Sequence, residues 1–243
     1  MASPASLTDD PLIEAVTAFV KARMANHDAS HDFHHIRRVV GLAQHIASHA
    51  PPPAVPLDRR TVTLAALLHD VADRKYLRPG DDASALVRTT LEALGAPPAL
   101  AAAVHDICGA VSWSRERADP AAAAAVLARH PELGAVQDAD RLDALGAVGA
   151  ARAFTYGAAR GDGAGRGLEG TLAHFDDKLL RIEGTMKTPA GRLMARQRTR
   201  RLQVFKEWFE EEAAFAWDGD EGWERDGPDG LSGAPLEETA ERE

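Results

Sequence analysis

Among the chain's His-Asp dipeptides are His31-Asp32, His69-Asp70 and His105-Asp106, and a histidine beside a carboxylate can bind a metal ion or move a proton. Their surroundings separate them. His31-Asp32 opens a helical pattern, where Asp32 is expected to cap free backbone N–H groups. His105-Asp106 lies in an Ala-rich helix without a clear apolar stripe and reads as a surface pair. His69-Asp70 instead follows five apolar residues, Leu64 to Leu68. Charge entering a core helix is costly unless something compensates it.

Other polar residues point the same way. On a helix continuing past His69, Asp73 shares one arc with His69 and Asp70. His35 belongs to the stripe His35, Val39, Leu42 and Ile46. Asp140 sits within the stripe Leu133, Val136, Asp140, Ala144 and Ala147, with Asp143 one turn further on. Inward-facing histidines and carboxylates from three helices would leave buried charge uncompensated, and a divalent cation would compensate it. Asp138, two positions from Asp140, is expected to face solvent or an arginine.

The elements that position these residues read as helix after helix. Asp9 and Asp10 before Pro11 start the first. A second carries the His35 stripe, and a third runs from about Leu57 to Val71. A fourth spans roughly Asp82 to Leu94, stopped by Gly95 and the prolines after it. Further helices are expected over Pro98–Trp113, Glu132–Tyr156, Thr171–Met186 and Pro189–Phe215. "DPAAAAAVLARHP" reads as a helical insertion. The six glycines within Gly157–Gly170 read as a loop, without the strand and Gly-Lys-Ser/Thr of a phosphate cradle. Alternating strand patterns and repeats are absent, so the fold class is all-α.

Composition bounds the function. The 243 residues are 45% apolar and 27% charged, ordinary for a globular chain. The net charge of −9 is concentrated at the end: residues 211–243 hold twelve Asp and Glu against Arg225 and Arg242, which leaves residues 1–210 close to neutral. Residues 1–215 are expected to form one helical domain, and 216–243 an acidic, disordered tail. Neither part has the basic balance of a nucleic-acid binder. No apolar run suits a membrane span, and no secretory leader is visible. The single cysteine, Cys108, excludes an internal disulfide and fits the reducing cytoplasm.

"HHIRRV" (His34–Val39), "LLHDVAD" (Leu67–Asp73) and "DADRLDALGAVG" (Asp138–Gly149) occur in an order that resembles the HD-domain phosphohydrolases. "TLAHFDDKLLRIEGTMKTPAGRLMARQR" (Thr171–Arg198) is similar to the C-terminal part of a small stand-alone branch of that superfamily. The resemblance covers roughly residues 10–215. It implies an HD-type helical bundle with a C-terminal helical extension, and a metal-dependent hydrolase of nucleotides that cleaves nucleoside triphosphates to monophosphate and pyrophosphate. The implied metal ligands are His35, His69, Asp70 and Asp140, and the implied helper of the attacking water is Asp73. Two-metal members carry extra histidines where this chain has Ser112-Trp113, so one ion per chain is expected, with His105 the nearby candidate for a second. Mn²⁺ is favoured, with Mg²⁺, Fe²⁺, Co²⁺, Ni²⁺ and Zn²⁺ as alternatives.

Arg38 and Lys75 beside the motifs are candidate catalytic cations for developing phosphate charge. Lys178 and His174 are candidate substrate contacts. Asp143 either contacts a sugar hydroxyl or orients a ligand. The main alternative is a sensor or regulatory HD module that binds metal and nucleotide without turnover. An oxygenase on the same helices would need two irons and more histidines. Retention of Asp73 favours hydrolysis. The oligomeric state is not readable from the sequence.

Overall fold

The computed structural model describes residues 9–25, 32–49, 56–73, 77–159 and 167–215, and among these every regular element is helical. Eleven α-helices follow in order: α1 Pro11–Arg23, α2 Phe33–Ser48, α3 Arg59–Leu68, α4 Leu86–Ala93, α5 Pro98–Ala110, α6 Trp113–Ala118, α7 Pro120–Arg129, α8 Glu132–Asp143, α9 Gly146–Ala159, α10 Gly167–Asp177 and α11 Pro189–Ala213. A 3₁₀ segment, Leu179–Thr185, joins the last two. The chain divides into two units, Met1–Gln203 and Val204–Glu243. All site residues lie in the first. In the second, the described part of α11 carries a Phe205–Phe209 ring pair at 6.4 Å and a Lys206–Glu210 ion pair at 3.4 Å.

The core is built around α3, whose residues Thr61 to Leu68 are all buried. Its neighbours are α1, α2, α5 and α8, and α2 packs most extensively on α8 and α3. A helix enclosed on every side cannot be amphipathic, which explains the unbroken apolar run before His69. The helix starts are set locally. Asp10 accepts the N–H groups of Leu12 and Ile13 ahead of Pro11, and its other oxygen pairs with Arg60 of α3 at 2.6 Å. Asp32 accepts the His35 N–H at 3.1 Å, the expected cap of α2.

Several expected helices are shorter than their patterns. α3 ends at Leu68 rather than Val71, and two tight turns follow: Val71 N–H donates to Leu68 C=O and Asp73 N–H to Asp70 C=O, both at 3.1 Å. Asp73 therefore does not lie on a helical arc with His69. Asp82–Ala85 is turn, so α4 starts later than expected. The Pro98–Trp113 pattern breaks at Val111 and restarts as α6, capped by Ser112. The Glu132–Tyr156 pattern breaks at Gly146, whose φ of +71° turns the chain between α8 and α9. Ala147 thus belongs to α9, and Ala144 lies past the end of α8. Thr171–Met186 divides into α10 and the 3₁₀ segment, and Gly167–Gly170, expected in a loop, form the first turn of α10. Most of the proline segment before Pro56, the glycines between 160 and 166, and the tail lie outside the described residues.

Candidate metal centre

α2 places His35 in its first turn, α3 presents His69 at its C-cap with Asp70 next, and α8 contributes Asp140. Both imidazoles are buried, at 1% side-chain exposure, while Asp70 and Asp140 keep 20% and 29%. His35 Nδ1 lies 2.8 Å from Asp143 Oδ2, and His69 Nδ1 lies 2.9 Å from the Ala66 carbonyl. A carbonyl and an ionised carboxylate only accept, so both Nδ1 atoms carry protons, and each ring, in the neutral form that binds a metal, turns an Nε2 lone pair inward. Those two Nε2 atoms face each other at 3.2 Å. Asp70 Oδ2 is 3.4 Å from each of them, and Asp140 Oδ1 is 3.6 Å from one and 3.7 Å from the other.

Two lone pairs and two carboxylates aimed at one another repel unless a positive charge lies among them. The separations suit atoms sharing one ion at about 2.1 Å each. Among the described residues, His35, His69 and Asp140 form the group of His, Cys, Asp and Glu able to hold a metal, and Asp70 adjoins it. The donor set fits a divalent cation of intermediate softness. The same field acts on protons. Burial opposes charging His69, but Asp70 and Asp140 outweigh it and lift its pKa to about 9. For Asp140, burial raises the pKa and the two histidines more than reverse it. Buried Cys108, whose thiol reaches the Ala65 carbonyl at 3.6 Å, has its pKa pushed up by burial and then by Asp70. It is an unreactive thiol.

Behind His35 lies a second layer. Asp143 is 1% exposed, accepts from His35 and from Arg38 Nε at 2.7 Å and Nη2 at 3.0 Å, and forms an ion pair with Arg152 Nη1 at 3.1 Å. Burial alone would raise its pKa, but His35 and Arg38 hold it well below the usual carboxylate range. Arg38 in turn has its pKa raised by the Asp143 hydrogen bonds. Arg198 donates to the Leu142 carbonyl at 2.5 Å close by. A carboxylate on the far nitrogen of a ligating histidine fixes its tautomer and orientation. Arg152, nine residues beyond Asp143 on α9, is the member that sequence reasoning missed, since no motif or stripe marks it.

The remaining candidates sit elsewhere. Asp73 is at the end of the turns after α3, partly exposed. His174 occupies the last turn of α10. Lys178 precedes the 3₁₀ segment, and its ammonium stands 5.5 Å from the Trp113 ring centroid. Lys75 and His31 lie outside the described residues. Asp106 pairs with Arg129 at 3.4 Å and His130 at 3.6 Å, which suits a structural role for the His105-Asp106 pair. Asp138 is a correction: it faces neither solvent nor an arginine's hydrogen bonds. It is fully buried and accepts from the N–H groups of Lys187 and Thr188 and the Thr188 hydroxyl.

The HD domain model matches residues 32–145, the stretch that carries His35, His69, Asp70 and Asp140. The uncharacterized protein YpgQ of Bacillus subtilis is 35% identical over 188 residues, 76% of this chain and 85% of the relative. Its crystal structure in complex with ADP superposes with a TM-score of 0.65 at 30% identity, covering 83% of this chain and 94% of that one. An HD-superfamily hydrolase from Bacillus thuringiensis gives a TM-score of 0.61 at 33% identity, over 84% and 97%. Among the described residues no helix is long and apolar enough to cross a membrane. Relatedness over this much of both chains, with the inward His and Asp residues inside the matched stretch, means that the chain belongs to the HD-domain superfamily of hydrolases.

Proposed function

We propose that this chain is a metal-dependent phosphohydrolase acting on a nucleotide, cleaving nucleoside triphosphates to monophosphate and pyrophosphate. The observation that carries the reading is the pair of inward Nε2 lone pairs at 3.2 Å, flanked by Asp70 and Asp140. The nucleotide rests on the ADP bound to YpgQ. His35, His69, Asp70 and Asp140 would hold one divalent ion. Such an ion, when bound, supplies Lewis acidity that lowers the pKa of water and offsets phosphate charge.

The chain's own groups do the rest. Asp73 accepts a proton from the attacking water, whose oxygen bonds to the α-phosphorus as the bond to the α–β bridging oxygen breaks and pyrophosphate leaves. Asp143 orients His35 rather than meeting a sugar, because its oxygens are filled by His35, Arg38 and Arg152. Arg38 contributes positive field beside the phosphates while bonded to Asp143, and Lys75, Lys178 and His174 are the candidate contacts to the rest of the substrate.

The test is hydrolysis of a ribo- and deoxyribonucleoside triphosphate panel with Mn²⁺, Mg²⁺ or Co²⁺, with ³¹P NMR distinguishing pyrophosphate from orthophosphate. Asp73→Asn is the companion variant. It should keep the ion and nucleotide affinity while single-turnover cleavage falls about 10²–10⁴-fold. Tight binding of metal and nucleotide by wild type with no cleavage across the panel would replace this reading with a sensor module.

A further inference from the structure

Arg23, the last residue of α1, is buried at 6% exposure and lies outside every motif. A buried guanidinium needs acceptors, and here they belong to two other segments. Its Nε donates to the Val71 carbonyl at 3.3 Å, and its Nη2 donates to Asp81 Oδ2 at 2.5 Å. Asp81 Oδ2 also accepts the Arg78 backbone N–H at 2.6 Å. Arg78 Nη2 then donates to the Arg23 carbonyl at 3.2 Å. Arg23, Asp81 and Arg78 thus form a closed ring of hydrogen bonds with one arm extended to Val71.

Val71 stands between Asp70 and Asp73, in the segment where α3 has already ended. There the backbone is held by two i→i+3 bonds, which are geometrically poorer than helical ones and leave carbonyls to be satisfied from outside. Arg23 grips the central peptide of the Asp70–Asp73 turn, touching backbone there rather than a side chain. A planar guanidinium can serve the carbonyl and the carboxylate together with fixed angles, which a lysine cannot.

We infer that Arg23, held in register by Asp81, is a positioning residue for Asp73, acting through the Val71 carbonyl. This rests on the reading of Asp73 as the proton acceptor for the attacking water. A tilt of the Val71 peptide would carry Asp73 off line while His35, His69 and Asp140, fixed from α2, the end of α3 and α8, and Asp70, ahead of that peptide, stay in place. Misplacement of about 1 Å at a reacting group can cost about a hundredfold in rate.

The experiment compares full-length wild type with Asp81→Ala, which loosens the ring from its partly exposed side, and with Arg23→Met, which removes both donors. For each, kcat and KM with Mn²⁺ and the best triphosphate, bound Mn per chain, melting temperature, and hydrogen exchange of the Val71 and Asp73 amides are measured. Expected for folded Asp81→Ala is a fall in kcat of about tenfold or more, with KM and Mn content nearly unchanged, a lower melting temperature from the Arg23 charge left without its carboxylate, and faster exchange at both amides. Arg23→Met should exceed it if it folds. Unchanged kcat in folded Asp81→Ala, or unchanged exchange at those amides, overturns the inference. Loss of Mn together with kcat also overturns it, because the ring would then be holding Asp70. If wild type cleaves no triphosphate, the hydrolase reading fails, while the exchange measurement still judges whether the ring fixes the turn.

Discussion

Each of the two histidines is committed at Nδ1 and turns Nε2 toward the other and toward two carboxylates, a convergence that could hold a metal ion. Removing a carboxylate tests it. Asp70→Ala should lose bound metal and hydrolysis together, whereas Asp106→Ala, paired with Arg129 and His130, should leave metal content near wild type. Elemental analysis of the purified proteins decides, and equal loss in both would mean that the wrong pair was chosen. A second test uses pH. The folded pKa of His69 is raised from 6.5 to about 9, so in metal-free protein its stabilising contribution is whole below pH 6.5 and disappears as pH rises through about 9. The full effect is about 3 kcal/mol for a shift of that size, and urea melts of chelator-treated protein across pH 6–10 should show the decline. The four converging residues were legible because each is a polar group placed in an apolar helical stripe or run. Arg152 was not, because its role depends on α9 folding back over α8, and a lone arginine in an Ala-rich helix carries no periodic signal.

At the level of elements, patterns located helices better than they located helix ends. α1, α2 and α11 start close to where their Asp, Pro and Thr signals stand, because capping is local chemistry. The ends of α3 and α8 depend on what arrives from elsewhere: Arg23 takes the Val71 carbonyl, and Gly146 turns back with Arg198 against it. Asp138 shows the same limit. A two-residue offset from Asp140 correctly separated their directions, but the other side of α8 is covered by the start of α11 rather than by water. There Asp138 holds the Lys187 and Thr188 amides, and the Thr188 hydroxyl caps Gly191 at 2.9 Å. A Cβ on Gly191 would lie 2.2 Å from Asp138 Oδ2, so this glycine is required for close approach rather than for an unusual φ. Gly191→Ala should therefore destabilise by about 1–3 kcal/mol in urea denaturation, from overpacking against a buried carboxylate. A stability equal to wild type would show that the carboxylate can move aside.

Across the whole molecule, charge and chemistry are separated along the chain, with the acid concentrated in residues 211–243 and the candidate metal centre between His35 and Asp140. Removing residues 219–243, which are Gly-, Pro- and acid-rich with Trp223 their sole aromatic, should preserve turnover and melting temperature. A large drop in either would mean that Trp223 anchors the segment. The ligands themselves come from three well-separated stretches, at positions 35, 69–70 and 140. An ion gripping all of them works as a cross-link, closing two long loops much as disulfides would in a chain whose lone thiol can form none. Its strength is adjustable where a covalent link is not. Binding to the folded chain alone adds about 2.7 kcal/mol at a free-ion level a hundred times the Kd, and successive tenfold increases add about 1.4 kcal/mol each. Melting temperature should thus climb with the logarithm of free Mn²⁺ in wild type and stay flat in Asp70→Ala, which would make the fold's durability a reading of the metal supply around it.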